Sequence, residues 1–369
     1  MTDSTQAIAP PRDIAIHPAS YSRLLVVALL TAAILIHTPT APADDAAPKK
    51  TAPRPSLTQS TQSRETWAKR RQEILQAAEQ VMGPFPTPAT RIDLAVKVVS
   101  EERADGLRFR KVTFQSDPTD RVPAWILLPE QSRTDKRPAL LCLHQTQRAG
   151  KDEPVGKSGA ANMHYGVELA RLGFIVLAPD YPSFGEHTYD FAAHPEYASG
   201  TMKAIWDNSR AVDLLTQMPE VDPARIGVIG HSLGGHNAIF TALFEPRLKA
   251  VVSSCGFTSF KTDDVPSWTG PNYMPRIATV YQNDAARLPF DFDELIAALA
   301  PRPFLAVAAT RDNDFDVSGV KDTLESARTA YQLLGAPDAL TGLYPDSPHD
   351  FPPAAREAAC RFLETALAR

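Results

Sequence analysis

Cysteine is scarce in this chain. Its 369 residues hold three, Cys142, Cys255 and Cys360, widely separated and with no Cys-x-x-Cys pair. That excludes a disulfide framework and a structural zinc site, and leaves three small buried hydrophobes. No metal or cofactor is expected. A long run of one charge is also absent. The net charge of -5 is spread along the sequence, and no basic stripe interleaves with aromatics, so nucleic acid is excluded as a partner. One long apolar run exists, the 13 residues 24–36, well short of the ~20 that span a membrane comfortably. No internal repeat is present.

The apolar run follows Arg23 and precedes "APADD", where Ala41-Pro42-Ala43 fits a small-residue cleavage site. Residues 1–43 therefore read as a signal peptide, for export to the periplasm or the extracellular space and with no stable membrane insertion after cleavage. Retention of the leader as an anchor is the other outcome. Proline is abundant, at 33. Residues 44–63 are rich in Pro, Ala, Ser, Thr and Gln and read as a linker. The remaining 64–369 form one domain.

That domain opens with a helix from about Arg64, where Trp67, Ile74, Ala78 and Met82 recur at helical spacing and Gly83-Pro84 ends it. "IDLAVKVVSEERA", "LRFRKVTFQS" and "VPAWILLPE" then read as strands joined by hairpins. From Leu140 onward, short apolar runs alternate with amphipathic helices. This predicts an α/β fold, with a mostly parallel sheet covered on both faces and an antiparallel N-terminal part. In such sheets functional groups gather beyond the carboxyl ends of the strands.

One strand end carries chemistry. "IGVIGHSLGGHNA" places Ser232 between Gly230 and Gly234, where a strand turns into a helix. Such a turn displays a hydroxyl above the sheet and sets the N–H of Leu233 beside it, ready for a developing oxyanion. A serine needs a base. In this arrangement the order along the chain is serine, acid, histidine, so His349 in "YPDSPHDFPP" is the candidate base. "PFLAVAATRDNDFDVSGV" offers Asp312, Asp314 and Asp316 as the acid, and Asp312, nearest the rigid strand, is favoured. A second oxyanion donor is expected from the backbone N–H of Gln145 or Thr146, after the strand ending near His144. His231, Trp268 and Tyr273 are candidate pocket residues. His187 and His194 are either pocket-lining or solvent groups. The segment 256–300, rich in aromatics, reads as a cap-like insertion.

With these residues in place, the chain resembles the α/β-hydrolase fold. "IWDNSRAVDLLTQMPEVDPARIGVIGHSLGGHNAIF", "PRPFLAVAATRDNDFDVSGV" and "YPDSPHDFPP" are similar to secreted bacterial proteins of the dienelactone hydrolase and acetylxylan esterase-like group. Ser232 stands where dienelactone hydrolases proper carry cysteine. The resemblance implies a serine esterase that cleaves carboxylic esters, including acyl esters of carbohydrates, through an acyl-enzyme. A small-molecule or carbohydrate ester would be its partner. Two rival readings remain: a prolyl oligopeptidase-like peptidase without a propeller, and a catalytically idle binding module.

Overall fold

The computed structural model describes residues 54–131 and 135–368. The leader falls outside them. The nine strands among the described residues are β1 (Lys97–Ala104), β2 (Leu107–Asp117), β3 (Asp120–Pro129), β4 (Arg137–Leu143), β5 (Ile175–Pro179), β6 (Val221–His231), β7 (Leu248–Ser254), β8 (Phe304–Val307) and β9 (Leu340–Leu343). They form a single sheet in the order β1-β2-β3-β5-β4-β6-β7-β8-β9. β1, β2, β3 and β5 pair antiparallel in succession. From β5 through β4 and on to β9 every pairing is parallel. Apart from two one-turn helices, α1 (Leu57–Ser60) and α6 (Arg276–Thr279), the helices are α2 (Arg64–Met82), α3 (Tyr165–Arg171), α4 (Gly200–Gln217), α5 (Leu233–Phe244), α7 (Phe292–Ala297), α8 (Val317–Leu333) and α9 (Pro353–Ala366).

Strand alternation explains the layering. In β4, Ala139, Leu141 and Leu143 join one apolar core with residues of α2, α4, α5, α7 and α8. Leu140 and Cys142 face the other way and join a second core with α3 and α9. A strand buried on both faces has no polar alternation, which is why "ALLCL" reads as one apolar run. Fully burying each such Leu contributes roughly 1.5–3 kcal/mol. All three cysteines are buried and unpaired.

Two boundaries differ from the sequence reading. The linker assigned to 44–63 is already structured from residue 54. Ser56 and Gln59 form a capping box on α1, Leu57 enters the main core, and the Arg54 guanidinium donates to Glu294 at 2.8 Å. A short capped turn with one buried leucine is enough to dock a segment whose composition is otherwise that of a linker. The segment 256–300 has no core of its own. Phe260, Trp268 and Phe292 interlock with Phe240 of α5, so it is a wall of the main body.

Candidate active site

The strand order reverses around β4, which has β5 on one side and β6 on the other. Loops leaving β4 and β6 therefore part and open a crevice at their carboxyl ends. Ser232 sits there, between β6 and α5, with φ 53° and ψ -119°. A non-glycine residue in this region is strained and persists only where its surroundings hold it. They do. The Ser232 N–H donates to Ser254 O at 2.8 Å, and the Ser232 carbonyl accepts from the N–H of Gly235 and His236. The flanking glycines are steric necessities. A Cβ on Gly230 would lie 2.2 Å from the Gly234 carbonyl, and one on Gly234 would lie 1.9 Å from Leu143 O. As the first residue of α5, Leu233 has an N–H with no partner inside the helix, at the positive end of the helix dipole.

The loops after β8 and β9 bring Asp312 and His349 together. His349 Nδ1 lies 2.9 Å from both carboxylate oxygens of Asp312. Asp312 Oδ1 also accepts the N–H groups of Asp314 and Phe315. Burial raises the pKa of the Asp312 carboxyl, but the His349 hydrogen bond and charge and the two N–H groups outweigh it, and the net shift is downward. Burial lowers the pKa of His349, yet the Asp312 hydrogen bond and charge, helped by Asp314 and Asp350, raise it overall. Asp314 stands off at 3.7 Å with its side chain 66 % exposed. Asp316 is elsewhere, capping α8 through Ser318 and Gly319.

Ser232 opens onto a cleft of about 370 Å³ that also exposes Thr146, Trp268, Tyr273, Asp314 and Phe315. The Phe315 ring lies 5.9 Å from that of His349. Trp268 and Tyr273, expected in the pocket, are both in this cleft, and the Tyr273 hydroxyl meets the Thr146 hydroxyl at 3.2 Å. His231 does not line it. Its ring is fully buried, bonded to Ser254 Oγ and packed 4.9 Å from the His349 ring. Burial, then the charge of His349, push its pKa down to about 3, so it is a neutral neighbour beneath the base. Gln145 turns its side chain to Glu153.

Two further cleft residues flank Trp268. Asp263 receives the Trp268 indole N–H at 2.8 Å, and burial pushes its carboxyl up to about 6. His236 lies under Trp268, its ring centre 4.7 Å away. These groups converge only through the fold of 256–300. His187 is neither a pocket residue nor a solvent group. It is buried against Asp120, which also binds Lys203. His194 is partly exposed, beside Glu196.

Two clusters among the described residues have metal-ligand geometry: Cys255, Asp312 and His349, and Asp120, His187 and Asp207. In the second, the Lys203 ammonium already contacts Asp120 at 2.6 Å and Asp207 at 2.5 Å. A cation's place there is filled by a side chain.

The model of the fungal glucuronyl esterases matches residues 185–335. A 4-O-methyl-glucuronoyl methylesterase of Wolfiporia cocos is 28 % identical over 168 residues, 41 % of this chain and 41 % of that protein. The chain has the α/β-hydrolase fold, and the relatives it matches include carboxylic ester hydrolases. YtaP of Bacillus subtilis, described only as a hydrolase, is 27 % identical over 80 % of this chain and 98 % of its own. A glucuronoyl esterase from Solibacter usitatus shares the fold, with a TM-score of 0.67 at 18 % identity over 88 % of this chain and all of that one. The chain thus spans nearly all of YtaP but less than half of the fungal methylesterase.

Proposed function

We propose that the protein is an esterase that acts on carbohydrate esters through Ser232, His349 and Asp312, and that it works as an exported enzyme, as its leader suggests. The Asp312–His349 contact, next to Asp314 and Phe315 of the cleft onto which the strained Ser232 opens, is the observation that carries the reading. Asp312 fixes the imidazole with its proton on Nδ1, which leaves Nε2 free to act as base. Ser232 Oγ bonds to the ester carbonyl carbon while its proton passes to His349. The carbonyl oxygen becomes an oxyanion, facing the Leu233 N–H and a donor from the β4 loop. Collapse breaks the bond to the alcohol oxygen, which leaves with the His349 proton. Water then attacks the acyl carbon, gives its proton to His349, and the bond to Oγ breaks with return of that proton. The Trp268 and Tyr273 wall supports a sugar-bearing substrate, since aromatic faces pack on the apolar face of a pyranose. Curated relatives bear the names of methylesterases of 4-O-methyl-glucuronoyl esters.

Ser232→Ala should lower turnover by roughly 10³-fold or more and abolish fluorophosphonate labelling while folding is retained. Undiminished turnover would refute the nucleophile assignment. A panel of uronoyl methyl esters, acetylated xylose, aryl esters and peptide amides tests the substrate class, and amides cleaved faster than every ester would favour the peptidase reading.

A further inference from the structure

The β4 loop offers two backbone N–H groups to the oxyanion, and its carbonyls distinguish them. The His144 carbonyl faces the start of α5: a Cβ built on Gly234 would lie 2.8 Å from it. In a trans peptide the C=O and the N–H point in opposite directions, so the Gln145 N–H points away from α5 and from Ser232. The next carbonyl is turned the other way. Gln145 O lies 2.7 Å from Nδ1 of the His144 ring. A carbonyl can only accept, so Nδ1 carries the proton. On the far side of the same ring, Nε2 accepts the Tyr181 N–H at 2.9 Å. The imidazole is buried and can satisfy both contacts in one neutral tautomer only. With Gln145 O pinned to the buried ring, the Thr146 N–H of that same peptide points away from the ring, on the side where Thr146 borders the cleft with Ser232 and Leu233.

We infer that Thr146, and not Gln145, supplies the second oxyanion N–H, and that His144 is the positioning residue that aims it by holding the 145–146 peptide plane through Nδ1–H and the Gln145 carbonyl. The inference rests on Ser232 being the nucleophile. His144 touches no reacting atom. It acts by removing the freedom of one peptide unit to rotate, so that the donor meets the oxyanion without reorganising during the reaction. The sequence marks His144 only as the end of a strand, and the structure gives its ring a task of its own.

The test compares three replacements in the full chain. His144→Leu removes both contacts. His144→Asn keeps a donor near the position of Nδ1. His144→Gln keeps an acceptor near Nε2 for the Tyr181 N–H but loses the Nδ1 donor. With an aryl acetate, His144→Leu and His144→Gln should lower kcat by about 10²–10³-fold, the loss typical of one oxyanion donor, with KM changed less than about threefold. Affinity for an alkylboronic acid, whose tetrahedral serine adduct carries the oxyanion, should fall in parallel. His144→Asn should recover at least tenfold of both. Should His144→Leu fail to fold, the Asn-against-Gln contrast alone decides. Equal kcat for Asn and Gln, a better Gln variant, or a loss confined to KM would overturn the role of His144. Ser232→Ala is the separate control: full activity there would overturn the nucleophile itself, whereas an inactive Ser232→Ala with indifferent His144 variants would overturn only this inference.

Discussion

Two aspartate–histidine pairs in this molecule have nearly the same contact distances, through opposite ring nitrogens. His349 Nδ1 lies 2.9 Å from both oxygens of Asp312. His187 Nε2 lies 3.0 and 3.1 Å from the oxygens of Asp120. The difference lies in what surrounds each. His349 keeps 21 % of its side chain exposed beside the cleft that holds Ser232. The His187 side chain is sealed, and Asp120 is shared with the ammonium of Lys203, itself fully buried and also bound by Asp207. Here the charge of Asp120 is spent on holding β3, α4 and the 180–199 loop together. A carboxylate on an imidazole is therefore not in itself catalytic machinery. It becomes so when the second ring nitrogen is free and a nucleophile stands nearby.

The sharpest way to break the comparison is to make the same change in both pairs. Asp312→Asn should leave the shape intact but permit the wrong tautomer, lowering kcat by up to ~10⁴-fold with a nearly unchanged midpoint of chemical denaturation. Asp120→Asn should do the reverse: an earlier midpoint, with kcat of the folded enzyme kept within about threefold. Equal kinetic damage from both would show that the two pairs are coupled.

Lys203→Met sharpens it further. Removing the ammonium leaves Asp120 and Asp207 buried without their main counter-charge, a change that typically costs about 3–5 kcal/mol. Urea titration of the variant checks this. A loss below about 1 kcal/mol would mean that the cluster is more hydrated than its burial indicates.

The pH dependence separates the pairs more gently. In the proposed mechanism activity requires neutral His349, and its raised pKa should set the acid limb of kcat/KM above the ordinary imidazole value of ~6.5. The linked stability has a definite sign. His349 binds its proton more tightly folded than unfolded. It therefore contributes stability that is fully present below the unfolded pKa and is lost as pH rises through the folded one. Asp312→Asn should remove most of that pH dependence, as denaturation midpoints on either side of the limb would show.

The smallest effect belongs to Asp314→Asn. Its carboxylate is 3.7 Å from His349 but two-thirds exposed, and solvent screens such charges. The acid limb should move down by less than about one pH unit, with kcat on the plateau retained. A shift larger than that of Asp312→Asn would exchange the roles of the two carboxylates.

The apolar runs and turn residues of the sequence already implied the layered α/β architecture, because strands buried on both faces lose their polar alternation and helices between them keep theirs. The elbow was legible for a similar reason. Gly230 meets the Gly234 backbone within the same turn, so local sterics require a small residue there, whereas the constraint on Gly234 comes from Leu143 at the end of β4. Ser232, Asp312 and His349 could be proposed because each follows a recognisable strand, and order along the chain stands in for position in space. Whatever depended on contacts between distant segments was not legible. Nothing local says that residues 54–63 dock on Glu294, that 256–300 lends its aromatics to the main core, or that His187 is buried with Lys203 while His349 is open. Nor could sequence choose between Gln145 and Thr146, since backbone N–H groups are identical in every residue but proline. Their direction is set by which carbonyl a buried imidazole holds, and that is decided only when β4, α5 and the Tyr181 loop come together.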